Sequence, residues 1–206
     1  AADRFNLTAR IDRWVIHHAL PIVAPLVDAG KLTSVSINLS GNALQDASLA
    51  GFILEEIRAS GIKPSALTFE ITETVVLSML GQVRQLISTL RRYDVCFALD
   101  DFGTGTSSLG VLRQLDVDFL KIDGAFVRDC ATNAVDAAML KTIRDLANAL
   151  GLKTIAEYAK DSAIVQKLRE IGIDYAQGFA YARPEPIDRL AGVRTLRPID
   201  VALPRA

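Results

Sequence analysis

The stretch VCFALDDFGTGTSSLGVLRQLDVDFLKID, residues 95–123, decides the fold. It opens on one apolar run, VCFALD (95–100), and closes on another, VDFLKID (117–123). Between them lie a glycine-containing loop and a helical segment, with no hairpin signal, so the two runs read as neighbouring parallel strands joined by a crossover. Each run carries polar groups at its far end: Asp100 with Asp101 on the first, Lys121 on the second.

The same grammar extends in both directions. Runs rich in Val, Ile, Leu and Phe recur at TSVSINLS (33–40), LTFEIT (67–72), KTIAEY (153–158) and IDYAQGF (173–179), giving six predicted strands in all. Helical segments separate them. Leu49, Phe52, Ile53 and Ile57 form one apolar face before Gly61, and Leu80, Val83, Ile87 and Leu90 form another. Leu140, Ile143, Ala147 and Leu150 precede Gly151, and Ile164, Val165, Leu168 and Ile171 precede Gly172. Six strand–helix units in succession require right-handed crossovers and a parallel sheet, either an open doubly wound sheet or a barrel. No G-x-G-x-x-G or P-loop opens a helix, which favours the barrel.

A complete barrel of this kind has eight strands and about 250 residues, whereas six strands are legible in these 206 residues. The shortfall is at the front. Residues 8–28 already read as a helix, with Leu7, Ile11, Trp14, Val15, His18 and Ile22 at helical spacing and Trp14 expected to fill the space between helix and sheet. The expectation is an α/β, TIM-like (β/α)8 barrel with its first one or two strands missing, a single domain over 1–206 that is incomplete at its N-terminus. The proline-punctuated stretch from Pro186 reads as a closing helix and an extended exit.

Half the residues are apolar, enough to bury a large core. Lys and Arg number 23 against 24 Asp and Glu, so no global field draws nucleic acid or an acidic membrane, and an anion must be held by a local site. Two cysteines, Cys96 and Cys130, lack metal-ligand spacing and read as buried free thiols of a reducing compartment. No apolar stretch approaches the roughly 20 residues of a membrane span. The chain therefore reads as cytoplasmic, within a parent protein that could carry membrane segments of its own.

If the runs are strands of one barrel, Asn38, Glu70, Asp100, Asp101, Lys121, Glu157 and Gln177 all converge on one mouth, because barrel sites form where strands end. Four carboxylates, two amides and an ammonium suit a hard divalent cation and an anionic substrate. Adjacent carboxylates at 100 and 101 repel without a cation, and Gly103 and Gly105 permit a tight loop beyond them. The plainer reading makes Asp100 a helix cap and Asp101 a solvated acid, and Asn38 a turn residue. Glu73 reads as a support at the next helix start. Lys121 in an apolar run needs carboxylate or phosphate company, as an acid/base, a phosphate-orienting group, or a Schiff-base nucleophile. Glu157 could bind metal or take a proton from water, and Gln177 offers both donor and acceptor. His17 and His18 are helix neighbours facing different directions, with no shared site.

SINLS, FEITET, DDFGTGTSSLGVLRQLDVDFLKID, TIAE and AQGFAYARP, in this order and spacing, resemble the EAL domain, the bacterial phosphodiesterase of cyclic di-GMP. The resemblance covers essentially the whole chain. It implies two Mg²⁺ or Mn²⁺ ions and hydrolysis of cyclic di-GMP to linear pGpG in signal transduction. By position, Asn38, Glu70, Asp100, Asp101 and Glu157 match metal ligands. Glu157, Lys121 and Asp101 match the reacting centre. Gln177, Asp101 and Pro184 match substrate-contacting positions, and Glu73 matches the acid that secures the DDFGTG loop. It also implies a homodimer, and sensory or GGDEF-type domains in the parent protein, with no DNA or RNA polymer as partner.

The chain departs from the family pattern in places. The Glu-Ala-Leu signature and the arginine segment after it are absent, Thr106 replaces an aromatic, and Tyr158-Ala159-Lys160 stands where glycine, valine and a second glutamate are usual. Two other readings therefore remain: a non-hydrolysing receptor for cyclic di-GMP or a protein partner, and a metal-independent lyase using Lys121.

Overall fold

A computed structural model describes residues 7–103, 109–187 and 189. Six strands stand in one sheet in chain order: β1 (Val35–Asn38), β2 (Leu67–Thr72), β3 (Cys96–Phe102), β4 (Phe119–Ile122), β5 (Lys153–Ala156) and β6 (Tyr175–Ala176). These are the six runs expected: β2 spans its run in full, β3 starts one residue later and continues through Asp101 and Phe102, and the other four are trimmed at their ends. The helices are α1 (Thr8–Asp28), α2 (Gly41–Leu44), α3 (Leu49–Ser60), α4 (Glu73–Ser78), α5 (Leu80–Leu90), α6 (Leu109–Leu112), α7 (Gly124–Val127), α8 (Ala134–Ala149) and α9 (Ser162–Ile171). The chain divides into two compact units, and β3 passes from the first to the second between Leu99 and Asp100.

In the first unit, β1 and β2 pair in parallel, with Asn38 opposite Glu70. Phe69 and Phe97 are fully buried, their ring centroids 6.1 Å apart. Helix α3 ends where Gly61 takes a left-handed φ of 70°, the stop its glycine signalled. Helix α1 corrects the expected facing. Its buried residues are Ile16, Ala19, Leu20, Val23 and Ala24, while Trp14 is 60% exposed and Leu7, Ile11 and Ile22 are also exposed. Both sets have helical spacing, and periodicity alone does not rank two apolar stripes on one helix. The Trp14 ring instead stacks on His18, centroids 4.2 Å apart. Polar ties then fix the helix. Arg13 donates to Asp46 Oδ2 at 2.7 Å, and Asp12 Oδ2 accepts from the Ser40 backbone N–H at 2.8 Å, immediately past β1.

In the second unit, β4, β5 and β6 pair in parallel. Helix α8 starts at Asn133, whose Oδ1 accepts from Val135 N–H at 2.9 Å. Helix α9 starts at Asp161, which caps Ile164 N–H at 3.0 Å, and ends at Gly172 with φ of 88°. At the foot of β5, Thr154 N–H and Oγ1 both bond Asp174 Oδ2 at 2.9 Å, fixing that strand against the start of β6. Neither cysteine is in a disulfide, and only Cys130 is buried; Cys96, at the first position of β3, is partly exposed. Much of the predicted tail after Pro186, and Thr106 with the rest of the 104–108 loop, lie outside the described residues. None of the helices described is long and apolar enough to cross a membrane.

Candidate active site

The second unit holds six of the predicted residues, of which the side chains of three meet directly. Asp100 sits in β3, Lys121 in β4, and Glu157 one residue past β5, where its backbone N–H continues the ladder to Ile122 O at 3.1 Å. Because each lies near the end of a neighbouring strand, their side chains converge. Lys121 Nζ stands 2.8 Å from Asp100 Oδ1 and 2.8 Å from Glu157 Oε1. It is 3% exposed, so this is the carboxylate company that an apolar strand demands of an ammonium.

Asp101 follows with φ of 56°, a left-handed conformation that aspartate tolerates better than most residues. Its backbone N–H donates to Asp100 Oδ1 at 3.0 Å. Asp100, Asp101 and Glu157 each offer a carboxylate oxygen within 4.8 Å of the others. Three acids against one ammonium leave an excess of negative charge. Burial pushes the Glu157 carboxyl above its ordinary value; Lys121 opposes that shift and the two aspartates add to it. Hard carboxylate oxygens gathered in this way are the donor set of a hard divalent cation.

The strand that follows closes the site from the other side. Gln177 N–H donates to Ala156 O at 2.8 Å and Gln177 O accepts from Ala159 N–H at 3.0 Å. This clamp depends on Gly178, at φ of 154°, where a Cβ would lie 2.4 Å from Ala159 O. Gln177 is exposed and lines a cavity of about 310 Å³ together with Glu157, Asp123 and Phe179. The sequence reading brings Gln177 here but misses Asp123 and Phe179, whose only local signal is their place just past β4 and β6. Pro184 is exposed.

The remaining predicted residues belong to the first unit. Asn38 is the exposed last residue of β1, and Glu70 is its buried register partner in β2, 6% exposed. Glu73 is the buried first residue of α4, where a carboxylate is favoured by the helix dipole. His17 engages Glu56 at 3.0 Å and His18 meets the Trp14 backbone O at 2.7 Å, which absorbs both histidines.

Known proteins share this arrangement of strands and much of the sequence. The chain is 40% identical over 187 residues to the cyclic di-GMP phosphodiesterase PdeB of Shewanella oneidensis, covering 91% of this chain and 22% of PdeB. It is 34% identical over 185 residues to the cyclic di-GMP phosphodiesterase PdeA of Borreliella burgdorferi, covering 90% of this chain and 28% of PdeA. The chain thus spans about a quarter of the length of these relatives. Among solved structures, the phosphodiesterase PaMucR in complex with c-di-GMP superposes with a TM-score of 0.85 at 30% identity, over 92% of this chain and 77% of that one. The EAL domain of Mycobacterium smegmatis DcpA gives the same score and identity, over 92% of this chain and 88% of that one. The fold is therefore the TIM-like α/β fold of these domains, as expected from the strand order. With the EAL domain model matching residues 1–184 as well, the chain belongs to the EAL domain family.

Proposed function

We propose that this chain is a single EAL-type domain that hydrolyses cyclic di-GMP to linear pGpG, and that Asn38, Glu70, Asp100, Asp101 and Glu157 hold two Mg²⁺ or Mn²⁺ ions for that reaction. The observation that carries the reading is Lys121 Nζ held 2.8 Å from both Asp100 and Glu157, with Asp101 completing the acidic group. Bound divalent ions would supply Lewis acidity, lowering the pKa of water and neutralising phosphoryl charge.

The chain's own residues account for the rest. Lys121 occupies Glu157 Oε1, which leaves Oε2 to accept the proton of the attacking water. In the ion-free chain burial raises the proton affinity of that carboxyl. The water oxygen bonds to phosphorus as the bond to the leaving ribose oxygen breaks, and the proton held at Glu157 balances the one the leaving oxygen takes up. The Lys121 ammonium offsets charge growing on the phosphoryl oxygens. Gln177, Asp101 and Pro184 contact the nucleotide. The working protein is a homodimer in a larger signalling polypeptide with sensory or GGDEF-type domains.

Incubation with cyclic di-GMP and Mn²⁺ tests this. Linear pGpG should form, and Glu157→Gln and Asp100→Asn should each lower the rate at least about 100-fold. Unchanged turnover in both variants rejects the assignment.

A further inference from the structure

The cavity of about 310 Å³ beside Glu157 has an imbalance of partners. Its carboxylates are engaged: Glu157 by Lys121 at 2.8 Å, and Asp123 Oδ1 by the Ala125 backbone N–H at 2.7 Å, where it caps α7. Its cations, Arg128 and Lys160, make no ion pair among the described residues. Arg128 is nevertheless held in place, with its guanidinium 4.5 Å from the centroid of the Tyr158 ring.

Tyr158 bears strain to provide that seat. Its φ is 59°, a left-handed conformation that a bulky aromatic rarely adopts. The conformation is imposed from both sides. A Cβ on Gly124 would lie 2.8 Å from Tyr158 Cβ, so the ring stem lies against the start of α7. Ala159 is pinned by both of its backbone hydrogen bonds, to Gln177 O at 3.0 Å and from Ala180 N–H at 2.9 Å. Lys160 follows directly from the pinned residue, exposed and on the same cavity.

We propose that Arg128 and Lys160 form a subsite for a phosphate monoester, which in this chain is the terminal phosphate of the linear dinucleotide produced at the neighbouring acidic cluster. This rests on the hydrolytic reading and deepens it. A phosphodiester carries one negative charge, and hydrolysis turns it into a monoester of nearly two near pH 7. A planar guanidinium held on a ring and an exposed ammonium on the same cavity match such a dianion better than the diester. The subsite therefore distinguishes product from substrate, retaining the 5′-phosphorylated product and slowing its release. The resemblance to the EAL pattern leads to an acid at position 160, so Lys160 makes this a property of this chain.

The test is calorimetric titration in EDTA with two probes, linear pGpG and its dephosphorylated counterpart GpG, so that added ions play no part. The chain should bind pGpG roughly tenfold more tightly than GpG. In Lys160→Glu and in Arg128→Gln, both exposed positions, the preference should fall to within about twofold, while GpG affinity stays constant. Lys160→Arg should keep it. Equal affinities in the unaltered chain, or a preference undiminished in both variants, overturn the subsite. Turnover of cyclic di-GMP with Mn²⁺ is scored separately. Absent turnover with the binding preference intact rejects the hydrolytic reading alone, and turnover without the preference rejects the subsite alone.

Discussion

Replacing Lys121 by Met tests whether one ammonium holds the acidic cluster together. Met fills a similar volume but leaves Asp100 and Glu157 without the group that stands 2.8 Å from each. Removing one partner of a buried ion pair costs about 3–5 kcal/mol. Asp100 and Glu157 keep 10% and 22% of their side-chain surface, which allows some hydration and places the cost near about 3 kcal/mol. For a chain of this size that lowers Tm by roughly 6–12 °C. The deficit should depend on pH with a definite sign. In the variant the carboxyls lose their counter-charge, so Glu157, already raised above 4.5 by burial, is raised further. A group whose folded-state pKa is raised binds its proton more tightly folded than unfolded. Its contribution to stability is present at low pH and lost as pH rises through the folded value. The variant should therefore approach the parent chain near about pH 5 and fall furthest behind near about pH 8. Thermal unfolding followed by circular dichroism in EDTA reads both effects. A deficit below about 2 °C, or one identical at the two pH values, would refute the claim that Lys121 is the counter-charge of this cluster.

Further outcomes follow from the same geometry. Gly178→Ala places a methyl 2.4 Å from Ala159 O at a φ of 154°, so the clamp behind Glu157 must open; turnover should drop by more than about tenfold and amide exchange at Ala159 should accelerate. Leu20→Ala should cost about 2–5 kcal/mol in urea unfolding, whereas Trp14→Ala, at a ring 60% exposed, should cost less than about 1 kcal/mol; the reverse ranking would show that α1 packs by its other face.

The six strands and the longer helices were legible because their signals are local. A run such as LTFEIT announces a buried strand by composition, and Gly61 and Gly172 announce helix ends by the left-handed conformation that glycine adopts without steric cost. The candidate residues were legible for a related reason: a charge at the end of an apolar run, such as Lys121 in DFLKID, must find a partner when the run is buried. The identity of that partner was not local. That Lys121 bridges Asp100 and Glu157 follows from neighbouring strands that bring together residues far apart in the chain, and hydrogen-bond register sets those distances. The facing of α1 was equally undetermined by sequence, since its two apolar stripes satisfy the same period and only packing chose the one through Leu20. Tertiary structure alone also decided the β5–α9 loop, where Gly124 leaves room for a strained Tyr158 and Gly178 for the Ala159 backbone, and where Arg128, held over the Tyr158 ring, lines the same cavity as Lys160. Sequence specifies what each segment prefers by itself; contacts between segments decide which preference is overruled.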